Sequence, residues 1–502
     1  MSPLATSKCA WRVLMGLAAI TSLLLMAGCG SSGSSVVVKG GFTNASLKGA
    51  YAYTHKGYGL NLNGSAGAFF VEGGVLTADG NGNITGTDDF IQESGLATQP
   101  YLGNAITGTY SINSDGTGIL TFVFGGALLG LSEEFAITLS DSGDFYMEEA
   151  DGGGTSAGSA HLQSSSATPS GTFVFRAHDV QRSATMGAVS ISAGAVSGTY
   201  VTVQNGTPTL SIIGAGSTIT APTGGRGSLT LVVNGTTADT AEYYVVSPSE
   251  FLLLDTFSQV LSVGMAEQQS AITFSATSLS GSYAFGSSGE TTTPGFVNTV
   301  GVFTTDGTAN VTAANYDSVQ DGSVSSDVTT TGTYFINPDG SGAVTLGGLK
   351  REIWMVSPAR AYLIALNGNN VEDGTLDQQS GTFTNTSLST QAAFFMDGFN
   401  WNGVVFNDVA FEDRVGTLVP SGSDSLGTNY EASFFAPNAL AGTFSSNAFS
   451  GTFSVASNGR TTTQLNGFTN NIVLYLTTNS TGYLLQADTG INLSGTLKAQ
   501  TQ

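Results

Sequence analysis

Through most of the chain, hydrophobic and polar positions alternate with a period of two. Tyr51/Tyr53, Phe173/Phe175 and Tyr283/Phe285 set aromatics on one face of an extended segment, and Phe135-Ala136-Ile137-Thr138-Leu139 alternates in the same way. Turn pairs punctuate these runs: Asp79-Gly80, Asp115-Gly116, Asn205-Gly206, Asn234-Gly235, Asp306-Gly307, Asp339-Gly340 and Asn458-Gly459. Asp-Gly and Asn-Gly tolerate the positive φ that tight hairpins require. Beyond residue 28 no segment carries a helical stripe. The first unit of this pattern predicts strands near 49–55, 66–78, 82–92, 105–113, 118–126, 133–140, 143–150 and 156–163.

The pattern repeats four times. A closing element, G-x-(A/L)-x-x-Q, occurs at Gly158 to Gln163, Gly264 to Gln269, Gly374 to Gln379 and Gly495 to Gln500, and the glutamines lie 106, 110 and 121 residues apart. An opening element recurs as Gly49-Ala50-Tyr51-Ala52-Tyr53, Gly171-Thr172-Phe173-Val174-Phe175 and Gly281-Ser282-Tyr283-Ala284-Phe285; the fourth copy, near Ala392-Ala393-Phe394, lacks the glycine. A middle element, Gly108-Thr109-Tyr110 through Asp115-Gly116, returns as Gly332-Thr333-Tyr334 through Asp339-Gly340 and Gly451-Thr452-Phe453 through Asn458-Gly459. The second copy is degenerate, around Thr223 to Gly227. Units of this size can each bury a core, unlike the short units of a solenoid. The expected repeats are 42–163, 167–269, 275–379 and 383–500, closely spaced because the joints are short.

Eight sequential strands joined by hairpins imply an all-β chain of four tandem antiparallel meander domains. Eight-stranded up-and-down barrels would remove the exposed edges; immunoglobulin-like β-sandwiches are the alternative, because strand count does not separate the two. The opening G-x-(Y/F)-x-(F/Y) resembles the first strand of avidin-type and lipocalin-type barrels, with Tyr or Phe where those families usually place Trp.

Residues 1–28 break the pattern. Lys8 and Arg12 precede the apolar runs Val13 to Ile20 and Leu23 to Met26, and the stretch ends Leu25-Met26-Ala27-Gly28-Cys29. This is the layout of an export signal. Its end resembles the lipobox of bacterial lipoproteins, with Met26 where Leu is usual. That resemblance implies cleavage before Cys29, a lipidated Cys29 thiol, and a tether over 29–41 that starts Gly30-Ser31-Ser32-Gly33-Ser34-Ser35. Gly30 is not Asp, which by the sorting rule of Gram-negative lipoproteins points to the outer membrane. Cys9 would leave with the signal, so no disulfide would staple the remainder.

Composition narrows the function. Removing Lys8 and Arg12 leaves a net charge near −24, with no basic cluster for nucleic acid. Charged residues make up only 10% of the chain, so Ser, Thr, Asn and Gly must coat much of the surface.

Candidate chemistry is sparse. His55, His161 and His178 show no metal-ligand spacing and read as surface or strand-end residues. The doublets Asp88-Asp89, Glu133-Glu134, Glu148-Glu149 and Glu412-Asp413 point to opposite faces of a strand and read as solvated strand ends. Gly154-Thr155-Ser156-Ala157-Gly158 has the letters of a nucleophile elbow but opens no helix, and reads as a turn. Asp79, Asn81 and Asn83, with Asp88 beyond, alternate oxygen ligands like the first half of a calcium loop, although a hairpin turn accounts for the same residues. No catalytic residue and no cofactor are expected.

The expectation is a non-catalytic lipoprotein of the cell envelope, attached to the membrane through Cys29. It would act as a structural or interaction module toward a glycan or cell-surface protein, multiplying weak contacts by repetition. Trp354 and Trp401 could serve sugar rings or pack in the core. Carriage of small apolar ligands in barrel lumens is the alternative, and a secreted hydrolase lacks residues to support it. From about Phe42 onward the Gly-rich repeats also resemble those of bacterial lipoproteins of unassigned function.

Overall fold

The computed structural model describes residues 41–500 except 63, 65–66, 95–96, 141–142, 181, 258–260, 292–294, 366–369, 402–408, 437–438 and 467–470. Cys29 and the whole signal lie outside the described residues. Among those described, the chain is all-β and forms four closed, antiparallel barrels in tandem, each a circuit of eight strands, to which the second adds a ninth, two-residue strand. Barrel, rather than sandwich, is settled by the pairing of the first and last strand in every unit.

Barrel one runs β1 (Lys48–Gly59), β2 (Ala68–Asp79), β3 (Asn83–Ser94), β4 (Ala97–Ile112), β5 (Thr117–Phe124), β6 (Ser132–Leu139), β7 (Phe145–Glu149) and β8 (Gly154–Leu162). Each strand pairs with its successor, and β8 returns to β1 with Tyr51 opposite Leu162. Gly154 to Gly158 is part of β8, so the expected turn there is strand. Barrel two contains β9 (Gly171–Asp179), β10 (Ser183–Ser192), β11 (Ala195–Gln204), β12 (Thr207–Ile213), β13 (Thr218–Ile219), β14 (Arg226–Val233), β15 (Thr236–Ser247), β16 (Glu250–Asp255) and β17 (Ser262–Gln268). The two-residue β13 bridges β11 and β14, while β12 meets β14 only at Ile213 and Val233. Barrel three repeats the scheme from Ser280–Thr291 to Asn370–Gln378, and barrel four from Ala392–Trp401 to Ile491–Ala499.

The period of two places one strand face in each lumen, and each lumen holds its own core. In barrel one that core includes Tyr51, Tyr53, Phe70, Phe122, Phe135 and Phe145. The opposite faces do not all meet water. Ala52, Val71 and Ile91 of barrel one pack on Tyr244, Leu252 and Leu254 of barrel two. Val174, Met186 and Val201 of barrel two pack on Trp354, Tyr362 and Ile364 of barrel three. Ala284, Val300 and Val302 of barrel three meet Val473, Tyr475 and Leu485 of barrel four. Ala393 and Val415 of barrel four then return to Ala136 and Tyr146 of barrel one. The four barrels therefore close into a ring.

The repeat markers are the fasteners of that ring. The closing glutamine of each barrel donates its Nε2 to backbone carbonyls of the next: Gln269 to Asp339 and Met355 (2.9 and 2.8 Å), Gln379 to Asn458 and Leu476 (2.9 and 2.6 Å). Gln163 donates to Val245 in barrel two (2.5 Å). Gln500 completes the circle by donating to Asp115 and Leu139 of barrel one (3.3 and 2.6 Å). The turn glycines of the middle element receive these side chains. A Cβ at Gly116, Gly225, Gly340 or Gly459 would stand 2.4 to 2.7 Å from the arriving glutamine nitrogen, and all four adopt positive φ. Glycine is required there twice over, for space and for conformation.

Candidate functional site

The calcium candidates divide between two places. Asp79 Oδ1 accepts the backbone N–H of Asn81 (2.6 Å) and Asn83 (3.1 Å), while Asn83 Nδ2 donates to Asp79 Oδ2 (2.8 Å). These bonds hold the carboxyl down at about 2, and they lock the β2–β3 hairpin. Asp306 closes the equivalent turn of barrel three on Asn310 in the same manner. Asp88 lies instead inside the first lumen, where it accepts the Tyr53 hydroxyl at 2.7 Å. Among the described residues no three His, Cys, Asp or Glu side chains are arranged to hold a metal ion.

The acidic doublets do point to opposite faces, but three of the four are buried rather than solvated, and Glu133-Glu134 is partly buried. Asp88 faces the lumen, and Asp89 faces barrel two, where Arg226 grips it with Nε and Nη2 (2.6 and 2.7 Å) and the Tyr244 hydroxyl adds a third bond (2.8 Å). Glu412 faces the fourth lumen, and Asp413 faces barrel one, accepting the Thr155 hydroxyl at 2.6 Å. Glu148 is buried between barrels one and four, and Glu149 is buried in the first lumen. Ring closure buries the outer faces, which strand alternation alone would leave in water. The histidines are corrected likewise. His55 is 1% exposed in the first lumen, 3.4 Å from Glu72, and buried His178 contacts Asp373 across the interface of barrels two and three. His161 is partly buried beside Asp144 and Glu250. Trp354 packs between barrels two and three.

At the ring centre, equivalent residues of the four opening strands converge. Strand register aligns Tyr51, Phe173, Tyr283 and Ala392, so the residues five positions on are Lys56, His178, Ser288 and Asp397. All four line one cavity of 70 Å³. Lys56 Nζ reaches Asp397 at 2.9 Å, and Arg176 Nη1 reaches Asp373 at 2.7 Å. Despite its burial, Asp373 is held at about 2 by His178 and Arg176. Tyr58, Phe399 and Phe411 also line it, Phe411 stacking on Tyr58 with ring centroids 4.3 Å apart and meeting Phe399 edge to face at 4.6 Å.

The lumens treat buried charge in four ways. In barrel three, Arg351 Nη2 donates to Glu372 at 3.2 Å, and the Ser287 hydroxyl donates to its other oxygen at 2.8 Å. In barrel four, Arg414 Nε donates to Glu412 Oε1 at 2.5 Å, and Asn400 Nδ2 donates to Oε2 at 2.9 Å. Barrel one sets only His55 against Glu72, and holds Asp88, Glu133 and Glu149 besides. Burial, reinforced by neighbouring carboxyls, pushes all three well above the usual carboxylate range. Barrel two holds Asp179, Asp239 and Asp255 around an apolar cavity of 70 Å³.

These acids fix a pH dependence. A carboxyl raised on folding binds protons that the unfolded chain has released. Its contribution is full below the unfolded value near ~4 and is lost as pH rises through the folded value, which for Asp239 is about 6. Asp373, lowered to about 2, contributes above ~4 and loses that as pH falls. The melting temperature should therefore peak at about pH 4, where both contributions are largest, and fall toward pH 8. Scanning calorimetry across pH would show it, and the triple substitution Asp88→Asn, Glu133→Gln, Glu149→Gln should flatten the alkaline limb. An unchanged limb in the triple variant would place its origin outside the first lumen.

No family model and no curated protein matches the chain. A solved structure, the CymD monoaromatic hydrocarbon channel, aligns over 90% of this chain and 86% of that chain at 7% identity, with a TM-score of 0.10. A likeness that low carries no argument.

Proposed function

We propose that the chain is a lipid-anchored, non-catalytic component of the cell envelope, sorted to the outer membrane, in which a rigid ring of four barrels serves as a structural or interaction module. The observation carrying this reading is the closure of the ring through Gln500. Four barrels locked together present a fixed, repeated outer surface, and repetition multiplies weak contacts with a glycan or cell-surface protein. The lipobox ending at Cys29 supports the anchoring.

The test compares cells carrying the wild-type chain with cells carrying Cys29→Ser, followed by a glycan array probed with the purified ring. Wild type should sediment with membranes, Cys29→Ser should stay soluble, and the ring should select one glycan class or retain one surface protein. Membrane retention of Cys29→Ser would sink the anchor, and a ring that captures neither would sink the interaction role. A second reading, carriage of a small ligand, is favoured by one observation, the cavity in barrel two.

A further inference from the structure

Strand register makes the four lumens directly comparable. Phe135 stands opposite Glu149, Ala241 opposite Asp255, Arg351 opposite Ala365 and Ile472 opposite Gln486. One lumen position is thus filled by Phe135, Arg351 and Ile472 in barrels one, three and four, and by Ala241 in barrel two. On the opening strand the position four beyond Tyr51 is His55, Ser287 and Met396, and in barrel two it is Ala177. In barrel one His55 and Phe135 pack edge to face at 5.1 Å, filling the space that two alanines leave empty in barrel two. Small residues at these two positions account for the cavity.

The cavity is built for one kind of occupant. Its walls are Phe175, Val189, Leu229, Leu231, Phe251 and Leu253. Asp179, Asp239 and Asp255 also line it, and no Lys, Arg or His stands among its described lining residues. Oδ1 of Asp239 is buried without a hydrogen-bond partner. Burial first, then the carboxyl of Asp239 to which it is hydrogen-bonded, raise Asp255, so the pair shares a proton that an entering cation would displace. Barrels three and four each set an arginine from their own chain against a lumen glutamate. Barrel two has the carboxylates, and an open space where barrel three places Arg351.

We propose that the lumen of barrel two is a binding site for a small organic cation, an alkylamine or alkylguanidine, whose charged head pairs with Asp239 and Asp255 and whose short chain lies among Phe175, Leu231, Phe251 and Leu253. The proposal rests on the carrier reading and names its ligand class. A cavity of 70 Å³ is under half the ~150 Å³ that admits the six heavy atoms of benzene, so it encloses about three heavy atoms, the charged head and the carbons next to it, and the rest of the short chain lies at its open mouth. The bound cation takes the place that Arg351 fills in barrel three.

The test is titration calorimetry on the full chain with n-butylamine and propylguanidine, against n-butanol and butyrate as neutral and anionic counterparts. The cations should bind about tenfold more tightly than butanol, and butyrate should not bind. Asp255→Asn, which keeps the shape, should weaken the cations by about tenfold and leave butanol unchanged. Ala241→Arg supplies the missing cation from within and should abolish binding while raising the melting temperature. Butanol binding as tightly as butylamine would overturn the cation assignment and leave carriage standing. Absence of binding by all four probes at millimolar concentration would overturn both. Cation binding that survives Ala241→Arg would place the site elsewhere and overturn the proposal.

Discussion

A chain ending at Gln379, three repeats without the fourth, should fail to hold the native fold: it should aggregate, or melt well below the full chain. Removing barrel four uncovers Ala284, Val300 and Val302 on barrel three and Ala136 and Tyr146 on barrel one. Each large apolar side chain returned to water costs ~1.5–3 kcal/mol, so the sum approaches the ~5–15 kcal/mol that stabilises a typical domain. The polar cost adds to it. Fully buried Asp317 is gripped by Arg460 through Nε and Nη2, both at 2.8 Å, and accepts the Tyr475 hydroxyl at 2.7 Å. The cut removes all three bonds and strands a carboxylate at the new edge. The same Asp-Arg-Tyr clamp, Asp89 with Arg226 and Tyr244, joins barrels one and two, so both joints rest on one device. The intact chain should unfold in a single calorimetric transition. Within it Gln500→Ala should cost about 1–3 kcal/mol, because the Leu139 carbonyl loses its side-chain donor and Gln391 Nε2 loses the Gln500 oxygen, while Gln391 still holds the Asp115 carbonyl at 2.9 Å. A three-repeat chain that stays monomeric and melts with the full one would show the barrels to be independent.

Much of the architecture is written locally. Alternation and Asp-Gly turns locate the strands of barrel one to within a few residues, because hairpins obey short-range rules, except that β4 starts at Ala97, eight residues before the expected 105. The sandwich alternative falls only with the β1–β8 pairing, a contact across more than a hundred residues that no local pattern encodes. The glutamine at the end of each repeat is visible as a repeat, but its purpose is not. Its side chain leaves its own barrel, and spacing along a chain does not say that the fourth barrel returns to the first. The solvated reading of the doublets fails for the same reason. A signal against it is present in Phe251-Leu252-Leu253-Leu254 and Tyr243-Tyr244-Val245-Val246, unbroken apolar runs that mark strands buried on both faces. The lumen of barrel two is legible only once register places Ala177 and Ala241 against their bulkier counterparts.

Arg414→Met should destabilise the protein by about 3–5 kcal/mol, the cost of leaving a buried carboxylate without its cation. Glu412 is fully buried in the fourth lumen, one oxygen held by Arg414 and the other by Asn400. Met fills similar space without charge, so cavity formation contributes little and the effect reports the ion pair together with the bond from Arg414 Nη1 to buried Gln486 (2.5 Å). Removing both partners separates the two costs. The double variant Glu412→Leu, Arg414→Met should recover most of the loss, since an apolar pair of similar volume carries no desolvated charge. Urea denaturation of the three variants measures both steps. A single variant as stable as wild type would mean that solvent reaches Glu412, and a double variant no better than the single would mean that Arg414 acts through packing. The contrast bears directly on barrel two. There the chain retains the acids and supplies no arginine, so if an unpaired carboxylate is costly in barrel four, a cation that enters barrel two gains from relieving the same cost.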